Sequence, residues 1–280
     1  MLEVSCLVNT GNTVSLADRV AAIADDFDPF AVEEPGGGQV RVYFGSTTDR
    51  DAALSAVTAE CGPEVCVSAL YVQADDWATR SQSNLRAVRI GRVTVAPPWD
   101  LPKPAASDNE VVVRLRPALG FGSGHHPTTR LALLGLQQVA LRGQDMLDLG
   151  TGSGLLAVAA VKLGARLAIG IDRDADALRS AQQCVTENHV SGRVELLKGD
   201  LVTLSSTAPV VTANLTGATL TRLAPTIRSR VTPGGHLILS GILASEVDTV
   251  VRSYATGAEL VWQAFEEEWV GLMVRVGTQS

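Results

Sequence analysis

No apolar run in this chain approaches the roughly 18 residues that a membrane-crossing helix needs, so no membrane partner is expected. Cysteine is scarce: Cys6, Cys61, Cys66 and Cys184 are scattered, none forms C-x-x-C, and no histidine lies at zinc-like spacing from them. That excludes the common zinc frameworks and leaves buried, reduced thiols as the expectation. An excess of positive charge is also missing. The formal net charge is −7, which gives no footprint for direct binding of nucleic acid through its phosphates. Nor is there a secretory signal: the first 13 residues carry Glu3 and too short an apolar part, so a soluble, cytoplasmic protein is expected. No internal repeat or low-complexity tract is present. No oligomer is evident.

What remains is an ordinary globular composition. The chain has 280 residues, 46% of them hydrophobic and 19% charged, enough for one large or two ordinary domains around a packed core. The acidity is uneven: residues 1–106 hold 8 Lys and Arg against 14 Asp and Glu. An acidic module suits a basic protein substrate by charge complementarity, and equally suits a plain solvated surface.

The most informative stretch runs from Gln144 to Ala175. Met146, Leu147 and Leu149 make an apolar strand that ends on Gly150. Gly150-Thr151-Gly152-Ser153-Gly154 is a turn, Leu155 to Leu163 a helix, and Leu167 to Ile171 a second strand with Asp172 at its end. This is half of a doubly wound α/β sheet, with a ligand expected over the carboxyl ends of its strands. The dinucleotide pattern is G-x-G-x-x-G. Here the third glycine comes one residue early and position 155 is Leu, which removes the dinucleotide option. Asp172 lies 22 residues after Gly150, where a carboxylate can accept two ribose hydroxyls.

Upstream, residues 1–72 read as a small α+β unit. Strands are expected at Leu2–Val8, Val40–Phe44 and Val65–Val72, with helices at Ser15–Phe27 and Asp49–Cys61 and a turn at Glu34–Gly38. A βαββαβ order would need one more strand. Residues 73–106 are expected to be a linker, containing a strand-like run over 87–99, and 107–280 the second domain. There Gly120-Phe121-Gly122-Ser123-Gly124-His125-His126-Pro127 marks a glycine loop that opens a helix over 127–141. The N-terminus of that helix suits a carboxylate. His125 and His126 have no thiol or carboxylate nearby to complete a metal site, so no metal is expected.

Downstream, Asp174 is expected to cap a helix to Asn188. Asp200 ends a strand, and Pro209 to Leu215 is an apolar strand that includes Asn214. A helix over 219–230, a turn over 231–235, a strand at His236–Ser240, a helix over 244–255 and a terminal hairpin follow.

GFGSGHHPTTRLAL, MLDLGTGSGLLAVAAVKLGA, IGIDRDADAL, the strand ending in ANL, and TPGGHLILSGIL, in this order, resemble the PrmA family, methyltransferases that use S-adenosylmethionine and act on ribosomal protein L-eleven. The resemblance implies a seven-stranded Rossmann-like domain and a small N-terminal ferredoxin-like domain that recognises the protein substrate. It implies methylation of lysine ε-amines and the N-terminal α-amine. Thr129, Gly150, Gly152 and Gly154 would then hold the methionine part of the cofactor, Asp172 its ribose and Asp200 its adenine. Phe121, Gly122, Gly124 and His125 would line a lid. Asn214 would stand beside the methyl group as the catalytic residue. Methylation of a lysine on a different protein, or cofactor binding without catalysis, are the alternatives. The sequence departs from the family pattern at Arg116-Pro117-Ala118-Leu119 and in the linker, which lacks a second Trp after Trp77.

Overall fold

The computed structural model describes residues 2–6, 20, 23–24, 27, 29–36, 39–44, 46–62, 65–70, 85–102, 110–116 and 124–278. The chain divides into two compact units, 1–80 and 81–280.

The first unit is a four-stranded antiparallel sheet: β1 (Leu2–Cys6), β2 (Pro29–Gly36), β3 (Gln39–Phe44) and β4 (Val65–Ala69), ordered β2-β3-β1-β4. Strand β2 is the one that the sequence left out; its Pro35-Gly36 end carries the turn-like residues. With it the strand order is that of a ferredoxin-like sheet. Helix α1 (Thr47–Cys61) starts two residues before the expected Asp49, because Ser46 is its cap and accepts the Asp49 N–H at 3.0 Å. Ala53, Val57 and Cys61 recur every fourth residue and bury one stripe of α1 with Val40 and Val42. Of the helix expected over 15–27, Val20, Ile23, Ala24 and Phe27 are described; Val20 and Ala24 belong to the same core, and Ile23 and Phe27 pack against it.

The second unit begins with a small sheet of β5 (Val88–Ile90), β6 (Val93–Ala96) and β7 (Val111–Arg114). The run expected to be one strand over 87–99 is thus a hairpin, turned at Gly91 with φ +58°, and it lies within the span read as linker. Helix α2 (Pro127–Leu136) precedes the main sheet and stops five residues short of the expected end. The main sheet contains β8 (Asp145–Leu149), β9 (Leu167–Asp172), β10 (Val194–Lys198), β11 (Ala208–Asn214), β12 (Val231–Leu243), β13 (Ala258–Glu266) and β14 (Trp269–Val276), ordered β10-β9-β8-β11-β12-β14-β13. Within this sheet β14 runs opposite to the other six strands. Strand order reverses at β8, which makes the carboxyl ends of β8, β9 and β11 the expected ligand position. The chain is therefore an α/β protein whose second unit carries a seven-stranded mixed, Rossmann-like sheet.

Alternating residues of β8 serve two cores. Met146 packs with α2, α3 (Leu155–Lys162) and α4 (Ala175–Glu187). Leu147 and Leu149 pack with α5 (Gly217–Arg222), α6 (Ala224–Arg228) and α7 (Val247–Tyr254). The helix expected over 219–230 is two helices, because Pro225 lacks the N–H to continue the first. The turn expected at 231–235 is an irregularity inside β12, whose pairing with β11 shifts between Ala208 and Val210. Cys61 and Cys184 are buried as expected, while Cys66 is exposed. Burial pushes the Cys184 thiol up to about 12. No helix among the described residues is long and apolar enough to cross a membrane.

Candidate functional site

The glycine turn is built on left-handed backbone. Gly150, Gly152 and Gly154 have φ of +74°, +52° and +76°, a region that side-chain-bearing residues seldom enter. The N–H groups of Gly150 and Thr151 both donate to the Ile171 carbonyl, at 2.9 and 3.0 Å, which joins the turn to the end of β9. At Gly154 there is no room for more: a Cβ would lie 3.0 Å from Ala181 Cβ of α4.

Beneath the turn lies Asp148, 1% exposed. Its carboxylate accepts the hydroxyls of Thr151 at 2.7 Å and Thr212 at 2.6 Å. Burial holds its pKa above the ordinary carboxylate range, and those two hydrogen bonds oppose the shift. Asp148 therefore ties β8, the turn and β11 together from below.

Asp172 faces the other way. One carboxylate oxygen accepts the Gly152 N–H at 2.9 Å and the other the Asp174 N–H at 3.0 Å. Each oxygen keeps further acceptor capacity for an incoming hydroxyl. Asp174 in turn caps α4 by accepting the Asp176 N–H at 2.9 Å. Asp200 accepts the Val202 N–H at 2.9 Å, so it forms a turn as well as facing the site.

These elements surround a cleft of about 910 Å³, of the size that small-molecule sites have. Gly150, Gly152, Asp172 and Asp200 line it, together with Ile171 and Leu201. Gly154 lies outside the wall, against α4. The far wall was not read from the sequence: Leu215, Thr216 and Thr219. Thr216 caps α5 by accepting the Thr219 N–H at 3.4 Å, and that Thr-x-x-Thr spacing was the signal available for it.

Thr129, His125, Gly124 and Asn214 stand outside that wall. His126 caps α2, its Nδ1 accepting the Thr128 N–H at 3.3 Å, and its ring meets Trp269 edge-on at 5.1 Å. Burial, with Arg130 adding to it, lowers the His126 pKa from 6.5 against the opposing pull of Glu268 and Glu267. Thr129 is buried, and its Oγ1 has no hydrogen-bond partner among the described residues. Such orphans are rare and costly unless a ligand completes them. His125 Nε2 lies 2.9 Å from the Arg86 carbonyl oxygen. Gly124, at φ +81°, passes so close to β6 that a Cβ would meet Val95 at 2.9 Å. Asn214 ends β11, half-buried and paired in register with Ser240. Phe121 and Gly122 lie outside the described residues.

Comparison with known proteins gives a consistent result. The family model described as ribosomal protein L11 methyltransferase (PrmA) matches residues 5–276. A ribosomal protein L11 methyltransferase of Geobacter sulfurreducens is 36% identical over 277 residues, 95% of this chain and 90% of its own. The one from Yersinia pestis is 36% identical over 271 residues, 92% of this chain and 91% of its own. A solved structure, the ribosomal protein L11 methylase of Lactobacillus delbrueckii subsp. bulgaricus, superposes with a TM-score of 0.63 at 26% identity, over 69% of this chain and 98% of that one.

Proposed function

This chain belongs to the ribosomal protein L11 methyltransferase (PrmA) family, and on that premise we propose that it methylates lysine ε-amines and the N-terminal α-amine of ribosomal protein L11. Its cofactor is S-adenosylmethionine. The observation that carries the reading is the Asp172 carboxylate, held by the Gly152 N–H at the edge of a cleft over the strand ends. The family match supports the choice of substrate, since it begins at residue 5 and so includes the first unit.

The residues present fit the cofactor. Gly150 and Gly152 present bare backbone on the cleft wall beside Ser153, Asp172 presents oxygen acceptors, and Thr129 Oγ1 is a buried hydroxyl without a hydrogen-bond partner among the described residues. When bound, the cofactor supplies an electrophilic methyl group on a sulfonium. Asp172 would accept the ribose hydroxyls, and Asp200 with Leu201 would face the adenine. Thr129, Gly150 and Gly152 would hold the methionine end, Gly154 would shape the turn from its place against α4, and Gly124, His125, Phe121 and Gly122 would cover the cofactor.

Asn214 would receive the substrate amine. A free lysine has a pKa of about 10.4 and is mostly charged at neutral pH, yet only the neutral amine has a lone pair to donate. A carboxylate here would hold the ammonium in its charged form. The carboxamide oxygen of Asn214 accepts an N–H without that penalty, and burial lowers the amine pKa further. Catalysis then rests on alignment, which can supply on the order of 7–11 kcal/mol. The first unit would recognise the substrate protein. On this reading the protein works in the cytoplasm and needs no contact with nucleic acid.

Incubation with radiolabelled cofactor and purified ribosomal protein L11 tests the proposal. Label in L11 supports it. Label only in some other protein of a lysate contradicts the substrate, and cofactor binding without transfer to any protein contradicts the activity.

A further inference from the structure

Ser240 interrupts a buried apolar run of Leu237, Ile238, Leu239 and Ile242, and is itself fully buried. Its hydroxyl donates at 2.7 Å to the Thr128 carbonyl, 112 residues away in sequence and one residue before Thr129. A carbonyl in the first turn of a helix already has a helical N–H partner four residues on. The serine is therefore not needed to satisfy Thr128, and its effect is to fix where the start of α2 sits. The backbone of Ser240 holds the other side: its carbonyl accepts the Leu215 N–H at 3.0 Å, and it is the register partner of Asn214. The next residue, Gly241, has φ +85° and no Cβ. A Cβ there would collide with the Leu215 carbonyl and lie 3.2 Å from Asn214 Oδ1.

We propose that Ser240 is a positioning residue for methyl transfer: through its hydroxyl and its carbonyl it fixes the donor side, at Thr129, relative to the acceptor side, at Asn214. The inference rests on the roles proposed above for those two residues. In-line transfer requires the reacting atoms about 3–3.5 Å apart and aligned, and a displacement of about 1 Å can cost on the order of a hundredfold.

The test is steady-state methylation of ribosomal protein L11 by the full chain and by Ser240→Ala, alongside thermal unfolding of both. The expected result is a kcat lower by about tenfold to a hundredfold, with the KM values for cofactor and protein within about twofold, since each still binds its own wall. An unchanged kcat per folded molecule, whatever the melting temperature, overturns the proposal. So does a rise in cofactor KM alone. If Ser240→Ala does not fold, or if the unaltered chain fails to methylate L11, amide exchange of the unaltered chain with and without S-adenosylhomocysteine decides. Protection rising together at 128–132 and 214–216 supports the tie, and protection confined to one segment or absent from both overturns it. A failure of the L11 assignment thus leaves the Ser240 inference separately decided.

Discussion

The backbone N–H of Gly152 donates to the carboxylate of Asp172 at 2.9 Å, linking the ends of two adjacent strands 20 residues apart. The glycine turn and the acidic residue form one preorganised unit before any ligand arrives.

Replacing Asp172 therefore removes both the ribose acceptor and the anchor of the turn. Hydrogen bonds to a charged group contribute about 1.5–3 kcal/mol each. Asp172→Ala is expected to weaken S-adenosylhomocysteine binding by roughly 10- to 100-fold, read by calorimetry. Unchanged affinity would contradict the role given to Asp172.

Gly154 makes a different prediction, because it faces α4 and not the cleft. Gly154→Ala places a Cβ in left-handed backbone and 3.0 Å from Ala181 Cβ. The combined cost of conformation and overpacking is about 2–4 kcal/mol. The second unit should melt on the order of 10 °C lower, while cofactor affinity measured well below the transition changes little. Differential scanning calorimetry and a binding titration check the two halves.

The contrast between Gly154 and Thr216 shows how far the sequence could be read. Strand, turn, helix and strand from Asp145 to Asp172 are contiguous, and each local signal agrees with the next. So Gly150, Gly152 and Asp172 could be placed on the site from the residues alone. The far wall comes from Leu215 to Thr219, joined to the turn only by folding; its one local mark, the Thr216-x-x-Thr219 cap spacing, signals a helix start and not a site. Strand β2 was missed because Pro35-Gly36-Gly37-Gly38 reads as a turn whichever residues precede it. The 231–235 segment was misread for the converse reason: Pro233-Gly234-Gly235 sits within a strand, and the cost is absorbed by a shift in pairing. Asp148 stands two residues before the turn in the sequence, and only its burial shows that it works from beneath.

Asp148 gives a pH dependence. Its pKa is raised in the folded chain, with burial the leading cause. A raised carboxyl contributes stability that is fully present below its unfolded pKa and is lost as pH rises through the folded value. The two hydroxyls donate to different oxygens of Asp148, so Asp148→Asn keeps one acceptor, turns an N–H donor toward the other hydroxyl, and cannot ionise. Its stability relative to the unaltered chain should improve as pH is raised from about 4 to about 7. Urea unfolding across that range checks the slope; a flat difference would mean that Asp148 does not titrate in this environment.

His126 has the opposite sign. Its pKa is lowered from 6.5, so its contribution is present above 6.5 and lost as pH falls through the folded value. Protonation also removes the Nδ1 acceptor that caps α2. His126→Ala should cost about 0.5–2 kcal/mol at neutral pH. His126→Asn, with an acceptor that does not titrate, should keep more of the stability and lose less of it between about pH 7 and about pH 5. Melting temperatures of the three chains at both pH values make the comparison.

The central claim is transfer of methyl groups to amines of ribosomal protein L11, and peptide mass spectrometry of purified L11 incubated with this protein and S-adenosylmethionine tests it most directly. The account predicts methyl additions on lysine side chains and on the N-terminal amine, and their near-complete loss with Asn214→Ala although that variant still binds cofactor. Unmodified L11, or methylation undiminished by Asn214→Ala, would contradict it.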